Sequence, residues 1–133
     1  MQYLLDTNAV IALLKSATSP IAVQARKHDP REIALSSIVT HELYFGAFKS
    51  QFPEGNQKRL DALRFEVLAF DKEDSIAAGK VRAGLQAAGT PIGPFDVLIA
   101  GQALCRGLTL VTANTREFIR VQGLTVEDWS VTR

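Results

Sequence analysis

Three carboxylates, Asp6, Glu42 and Asp96, are the side chains of this 133-residue chain whose types and positions best suit chemistry. Bringing them together without a cation is unfavourable, because each like-charge pair about 4 Å apart costs about 4 kcal/mol at an effective dielectric of about 20. Binding of Mg²⁺ or Mn²⁺ makes the convergence of these carboxylates favourable, since these hard ions prefer oxygen ligands. Such an ion activates water and neutralises charge on a phosphodiester. The chemistry that fits these acids is therefore metal-dependent phosphodiester hydrolysis.

Each acid also has a purely structural interpretation. Asp6 can cap the helix that follows it, and Asp96 can favour the positive end of a helix dipole from the first turn. Glu42 is harder to explain in this way, because helical spacing is expected to place it on the same, partly buried face as Val39 and Phe45. A charge on such a face costs free energy unless a nearby histidine or a distant arginine pairs with it. Both interpretations stay open for all three acids.

Asn114 and Glu117 extend the acidic set, because they follow the apolar stretch at residues 108–111. Their spacing is also that of a capping box, with Asn114 as the cap and Glu117 three residues further on. Capping is therefore as good an interpretation as catalysis, and both residues remain catalytic candidates.

Other chemistries have little support in the sequence. His28 and His41 have no partner at zinc-ligand spacing, and Cys105 is the single cysteine. Ser36 and Ser37 do not lie in the nucleophile-elbow context of a serine hydrolase. The chain also has no glycine-rich phosphate-binding motif, which argues against nucleotide-dependent chemistry.

Charge and composition predict a cytoplasmic protein without strong steering toward polyanions. The formal net charge is only +1, so a nucleic acid would have to be held by local basic side chains. Asp6 and Asn8 interrupt the apolar start of the chain, and no apolar stretch reaches the roughly 20 residues that span a bilayer. Arg82 and Arg116 are the preferred phosphate contacts, because each lies in a helix or loop that leads to an acidic residue. The full basic set is Lys49, Lys58, Arg59, Lys80, Arg82 and Arg116.

Short apolar stretches alternate with stretches of helical spacing, which is typical of an α/β fold with crossover helices. We predict strands at residues 3–5, 33–36, 67–70 and 108–111, with a weaker fifth at 124–127. Helices are predicted at residues 8–15, 37–50, 56–66, 72–88 and 94–106. In a parallel sheet, ligands bind at the carboxyl ends of the strands, where Asp6 would lie. We therefore expect one domain over residues 1–133, with a mainly parallel sheet of four to five strands flanked by helices.

Four stretches of the chain carry a family resemblance: YLLDTNAVIALLK at 3–15, SSIVTHELYFGA at 36–47, IGPFDVLIAGQALCRGLTLVTANTREFIRV at 92–121, and GLTVEDW at 123–129. Their order and spacing resemble those of PIN-domain ribonucleases and, within that group, the toxins of VapBC-type toxin–antitoxin pairs. The likeness extends over nearly the full length of the chain.

The resemblance implies a PIN domain that acts as a metal-dependent endoribonuclease, in which Asp6, Glu42 and Asp96 hold Mg²⁺ or Mn²⁺. Many members of the family have a fourth acid just after the last core strand. Asn114 stands at that place here and Glu117 follows one turn later, so a second metal position stays open.

The resemblance also assigns supporting roles and partners. Thr7, Asn8 and Thr112 are implied to position the acids or the bound water. With Arg82 and Arg116, chosen above from their positions, they make up the candidate substrate contacts. The substrate would be a structured RNA such as tRNA. The partners would be a small antitoxin, whose C-terminal segment blocks the site, and a second copy of the chain in a homodimer.

Two other interpretations remain for the residues themselves. An aspartyl-phosphate phosphatase or receiver protein would also place an aspartate after the first strand. The phosphatase pattern requires a second aspartate at the position of Asn8, however, and a receiver requires a lysine after its last strand. The other alternative is a non-catalytic α/β module that binds a partner protein, in which the acids serve as helix caps.

Overall fold

Five short strands form one parallel sheet in the computed structural model, which describes residues 1–131. The order across the sheet is β3-β2-β1-β4-β5, and every neighbouring pair is parallel. The three residues of the central strand are all buried, which explains its uninterrupted apolar sequence. The predicted fold class is confirmed. The strands are β1 (Tyr3–Leu5), β2 (Ile33–Ser36), β3 (Glu66–Leu68), β4 (Thr109–Val111) and β5 (Val126–Glu127).

Helices flank the sheet and connect its strands. In the described part of the chain they are α1 (Thr7–Lys15), α2 (Pro20–Arg26), α3 (Ser37–Phe48), α4 (Pro53–Asp61), α5 (Lys72–Ala87), α6 (Pro94–Arg106) and α7 (Thr115–Phe118). A 3₁₀ turn, Pro30–Glu32, leads into β2. None of the helices within residues 1–131 combines the length and the apolar character that crossing a bilayer requires.

The chain changes its direction across the sheet at β1. From β1 it moves outward through β2 to β3, and it then returns to place β4 on the other side of β1. Ligands of open α/β sheets bind beyond the carboxyl ends of the strands at such a switch point. Asp6 directly follows β1 and Thr112 directly follows β4, so these two side chains mark the place where a site is expected.

Close contact between α5 and α6 fixes the helix that carries Asp96. A Cβ atom added to Gly101 would lie 2.4 Å from the Cα of Ala78, so glycine is what permits this approach. Beside it, the fully buried carboxylate of Asp74 accepts hydrogen bonds from Gln102 at 3.0 Å and from Arg106 at 3.0 Å and 3.2 Å. Packing and a buried ion pair therefore hold α6 in place.

The end of the described chain is anchored by Trp129, which is 2% exposed. Its ring stacks on His28 with centroids 5.0 Å apart, and it meets Tyr3 edge-on at the same distance. The indole N–H donates to Glu127 at 3.0 Å. This contact ties the segment after β5 to the start of β1, at the opposite end of β1 from Asp6.

Two sequence predictions were wrong in detail. The helix predicted at residues 56–66 is Pro53–Asp61. It begins earlier because proline suits the first helical position. It ends earlier because the apolar residues at helical spacing extend past the helix into a turn and the edge strand β3. The strand predicted at residues 67–70 is Glu66–Leu68, where Val67 is 50% exposed. Helix α2 was not predicted, although Ser19 caps it and Pro20 begins it.

Candidate metal centre

Asp6 lies at the carboxyl end of β1 and is 5% exposed. Its Oδ1 accepts a hydrogen bond from the Ala9 amide at 2.8 Å, so the predicted cap of α1 is present. Burial raises the Asp6 pKa, and hydrogen bonds from Thr112 and Ala9 offset part of that rise. The neighbouring charges of Glu42 and Asp128 raise it further. A carboxylate has more acceptor sites than one capping bond uses, so capping and ion binding are compatible.

Glu42 reaches the same end of the sheet from α3. Thr7, the residue after Asp6, donates its hydroxyl to Glu42 Oε1 at 2.8 Å. Glu42 is half-buried, as predicted, but the expected face was wrong, because Phe45 is 60% exposed while Val39 is fully buried. Six residues separate those two side chains, which is about 240° around a helix. Glu42 therefore lies at the border between the buried and exposed faces of α3.

Asp96 occupies the first turn of α6 and is half-buried. A Cβ atom at Gly93 would lie 3.1 Å from Asp96 Oδ2, so the glycine leaves room for this carboxylate. Burial raises the Asp96 pKa to about 6, and the charges of Glu117, Asp6 and Glu42 add to the rise. Since Glu117, Asp6 and Glu42 all act on Asp96, and Glu42 also acts on Asp6, these carboxylates contribute to one electrostatic site.

The capping box indicated by the spacing of Asn114 and Glu117 does not form. The Asn114 side chain makes no capping hydrogen bond to α7. Its Nδ2 instead donates to Glu117 Oε2 at 2.6 Å, while its backbone amide donates to the Thr112 hydroxyl at 2.9 Å. Glu117 is half-buried and its charge raises the pKa of Asp96. Asn114 thus orients an acid that contributes to the field of the site.

Sequence reasoning missed Asp128, which directly follows β5 at the same edge of the sheet. Its carboxylate is half-buried and raises the pKa of Asp6. The signal was present, because Asp128 follows its strand as Asp6 follows β1. The weak prediction of the fifth strand concealed that position.

A groove of about 490 Å³ opens beside Glu42 between α1, α3 and α4. Its walls are largely aliphatic, and Lys15 and Arg59 are the basic residues along it. The Arg59 guanidinium donates to the Leu14 carbonyl at 2.7 Å, which ties α4 to the end of α1. Lys15 was not a candidate from the sequence, because its place beside Glu42 depends on tertiary packing.

The remaining candidate side chains are mostly exposed. Asn8 lies on the first turn of α1, Arg116 precedes Glu117 on α7, and Arg82 lies on α5 beside Pro94. Lys49 lies over the Phe45 ring at 4.8 Å. Lys58 is exposed on α4, and Lys80 lines a separate groove with Arg120. The two preferred arginines therefore lie on elements that adjoin or carry site acids, whereas Lys80 does not.

The donors at this edge fit a hard divalent ion. They are carboxylates and threonine hydroxyls, which are oxygen ligands of the kind that Mg²⁺ and Mn²⁺ prefer. Within residues 1–131, no three acidic, histidine or cysteine side chains stand close enough to enclose an ion as a set. Mg²⁺ usually takes only one or two carboxylates and keeps several waters, so a closed set of three is not required. Burial is the main cause of the raised pKa values of Asp6 and Asp96, and the charges of neighbouring carboxylates, which such an ion would neutralise, add to it.

A parallel sheet with these acids at its switch point defines an α/β domain with an acidic candidate site, and comparison with known families makes the class specific. The sequence pattern of the PIN domain matches residues 3–124. The chain belongs to the PIN domain family.

Relatives and solved structures agree with that assignment over nearly the whole length. The tRNA(fMet)-specific endonuclease VapC of Shigella flexneri is 43% identical over 133 residues, which cover 98% of this chain and 99% of that protein. The enzyme of the same description from Salmonella typhimurium is 41% identical over 131 residues, covering 97% of this chain and 98% of that protein. In the crystal structure of DNA-bound VapBC from Salmonella typhimurium, one chain superposes with a TM-score of 0.92 at 41% identity, covering 97% of this chain and 98% of that chain. The resemblance noted in the sequence is confirmed.

Proposed function

We propose that this protein is a Mg²⁺- or Mn²⁺-dependent endoribonuclease and the toxin of a toxin–antitoxin pair. The observation that carries the proposal is the convergence of Asp6, Glu42 and Asp96 at one edge of the sheet, with the pKa of Asp96 raised to about 6. Structural capping explains Asp6 in part, but it does not explain why Glu42 and Asp128 act on Asp6, or why Glu117, Asp6 and Glu42 act on Asp96. A cation site accounts for all of them.

In this proposal Asp6, Glu42 and Asp96 hold the ion, which when bound activates water and stabilises charge on the phosphodiester. Thr7 keeps the Glu42 carboxylate oriented through its hydrogen bond. Asn114 does the same for Glu117, which is the candidate acid for a second ion. Among the described residues, none beside these acids resembles an activated serine or cysteine nucleophile, which is consistent with direct attack by water.

Substrate contacts are proposed for the side chains around the acids. Thr112 is 1% exposed and its side chain lowers the pKa of Asp6, so the role assigned to it is to position that acid. Asn8 and Arg116 are exposed on the first turns of α1 and α7, where they can contact phosphate or ribose. Arg82 extends this surface past the start of α6.

The partners are proposed from the relatives. Two relatives are named for action on initiator tRNA, tRNA(fMet), so that RNA is the first substrate to test.

Solved relatives contain VapBC pairs, and we propose that an antitoxin segment lies in the aliphatic groove that opens at Glu42. A segment in that groove would reach the acids and obstruct them. A homodimer remains our expectation, to be measured by light scattering.

The decisive experiment is cleavage of initiator and elongator tRNA by the purified protein. We expect cleavage with Mg²⁺ or Mn²⁺, none with EDTA, and none from Asp6→Asn or Asp96→Asn proteins that circular dichroism shows to be folded. Glu54→Gln is the matched control, because Glu54 is an exposed acid in the first turn of α4, outside the site. Undiminished cleavage by a folded Asp6→Asn or Asp96→Asn protein would rule out the proposed centre.

A growth assay tests the biological role separately. Expression of the wild-type chain without an antitoxin should arrest growth, and Asp96→Asn should relieve the arrest. Equal toxicity from both forms would show that catalysis at these acids is not the cause.

A further inference from the structure

Two aromatic side chains stand beside the acids and have no part in holding them. Phe95 precedes Asp96 in the first turn of α6, and His41 precedes Glu42 on α3. Their ring centroids are 6.3 Å apart and their planes are inclined by 59°. Phe95 is 44% exposed, and His41 is also exposed. An open aromatic pair therefore borders the carboxylates.

The exposure of Phe95 is not explained by packing of the fold. The next apolar residue of α6, Val97, is 5% exposed and belongs to the core. A phenylalanine left nearly half in water next to an acidic cluster forgoes much of the stabilisation that full burial would give. Its position is instead suited to an uncharged, flat ligand that must lie against the acids without adding negative charge there.

We propose that Phe95 is a stacking surface for an unpaired base adjoining the phosphate that is cut, with His41 as a positioning residue at the edge of that base. This inference rests on the proposed ribonuclease function. Unpaired RNA bases stack on aromatic side chains, and such stacking is tolerant of sequence because every base has a π face. Since Phe95 and Asp96 are consecutive, a strand whose phosphate reaches Asp96 brings a neighbouring base to Phe95.

The tilt between the rings divides their roles. Planes inclined by 59° do not form two parallel walls, so a base lying flat on Phe95 meets the His41 ring at its edge. The imidazole can then hydrogen-bond the base edge or limit how far the base slides. A base within a duplex is already stacked and paired, so this arrangement selects loops and other single-stranded segments as substrates.

Other exposed aromatics do not fit the same role. Phe45, Phe48 and Phe52 are more exposed than Phe95, at 60%, 57% and 73%, but none is the direct sequence neighbour of a site acid. Lys49 also lies over the Phe45 ring. Phe48 instead stacks on Tyr44, with centroids 6.2 Å apart. The combination of an open ring and an adjacent site carboxylate is found at Phe95.

Base stacking is tested with RNA that carries 2-aminopurine at each position flanking the cut, with chelator present so that no cleavage occurs. Wild-type protein should change the fluorescence at one flanking position. Phe95→Ala and Phe95→Leu should abolish that change, whereas Phe95→Trp should keep it. Leucine preserves apolar bulk without a π face, so it separates stacking from general packing.

Cleavage kinetics give a second readout. With metal present, Phe95→Ala should raise KM by about 10- to 100-fold, the range expected for loss of one stacked base, while kcat changes less than about threefold. Ile76→Ala is the matched control, because Ile76 is 46% exposed on α5. His41→Ala should broaden the set of cut positions, and a His41→Ala protein that cuts only at the wild-type positions would remove the positioning role of His41.

Several outcomes would overturn the stacking proposal. It is wrong if Phe95→Leu behaves as wild type, if KM is unchanged in Phe95→Ala, or if that variant alters only the oligomeric mass. These failures leave the ribonuclease function intact, because the wild-type protein still cuts RNA. Conversely, a wild-type protein that shows the fluorescence change but never cleaves would refute the proposed function and support the stacking surface.

Discussion

Replacing Asp96 with asparagine is expected to stabilise the metal-free protein at neutral pH while removing its activity. The Asp96 pKa is about 6 in the folded protein. An aspartate in an unfolded chain has a pKa of about 3.9, the value typical of model peptides. The folded state therefore binds this proton more tightly than the unfolded state does. Ionisation of Asp96 above pH 6 consequently costs folding free energy, and the cost fades as the pH falls toward about 4.

The magnitude follows from the difference between the two pKa values. A pKa difference of about two units corresponds to about 3 kcal/mol of folding free energy, which is an upper bound for the stabilisation. Asp96 is only half-buried, so solvent screening reduces the expected gain to about 1 kcal/mol. For a domain of 133 residues, 1 kcal/mol corresponds to a rise in Tm of about 4 °C.

The assay is urea and thermal unfolding of wild-type and Asp96→Asn proteins in EDTA at pH 7.5 and pH 5. The advantage of the variant should fall to about half at pH 5, where folded Asp96 is largely protonated. Added Mg²⁺ should stabilise the wild type and leave the variant nearly unchanged, because a ligand stabilises only the state that binds it. A variant that is less stable than wild type at pH 7.5, or whose advantage does not depend on pH, would refute the reasoning.

A second carboxylate provides a control with the opposite sign. Asp74 is completely buried, and hydrogen bonds from Arg106, the Asp71 amide and Gln102 outweigh burial and lower its pKa. Its contribution to stability is therefore present at neutral pH and is lost as the pH falls through the folded pKa. Asp74→Asn should destabilise the protein at pH 7.5 by about 2 kcal/mol, less than for a fully enclosed pair, because the Arg106 side chain is 30% exposed.

Three further substitutions test packing and positioning. Gly101→Ala should lower the stability by about 1–3 kcal/mol in urea unfolding, since its Cβ would press on Ala78; an unchanged midpoint would show that α5 and α6 separate easily. Thr7→Val should reduce kcat about tenfold or more by freeing Glu42, and Thr7→Ser should restore it; equal rates for both would remove the positioning role. Trp129→Ala should cost about 3–5 kcal/mol in thermal unfolding, and a loss below about 1 kcal/mol would mean that the C-terminal anchor is weak.

Features that depend on nearby residues, such as strand bounds and helix ends, were predicted correctly from the sequence. β1 and β2 have the predicted bounds, and α6 begins at Pro94 and ends before Gly107, which adopts a left-handed φ of 65°. Asp6 could be singled out because the end of a buried parallel strand is a fixed place in this class of fold. These features rest on burial, proline and glycine, whose effects act within a few residues.

Features that depend on tertiary packing were not predictable in the same way. The spacing of Asn114 and Glu117 matches a capping box, yet their side chains bond to each other and the Glu117 charge acts on Asp96. Lys15 and Glu42 line the same groove because α1 packs against α3. Identical spacing in a sequence can serve either arrangement, and the packing of neighbouring elements determines which one forms.

The acidic edge and the stabilising contacts of the fold occupy different parts of α6, and this separation has a functional consequence. Asp96 lies in the first turn, where its ionised form opposes folding, whereas Gly101 and Arg106 hold the second half of the helix against α5. The position of Asp96 is therefore held by helix packing against the repulsion of the neighbouring acids. If the proposed ion binds here, the fold already holds Asp96 in place, and the free energy that binding releases need not be used to position it.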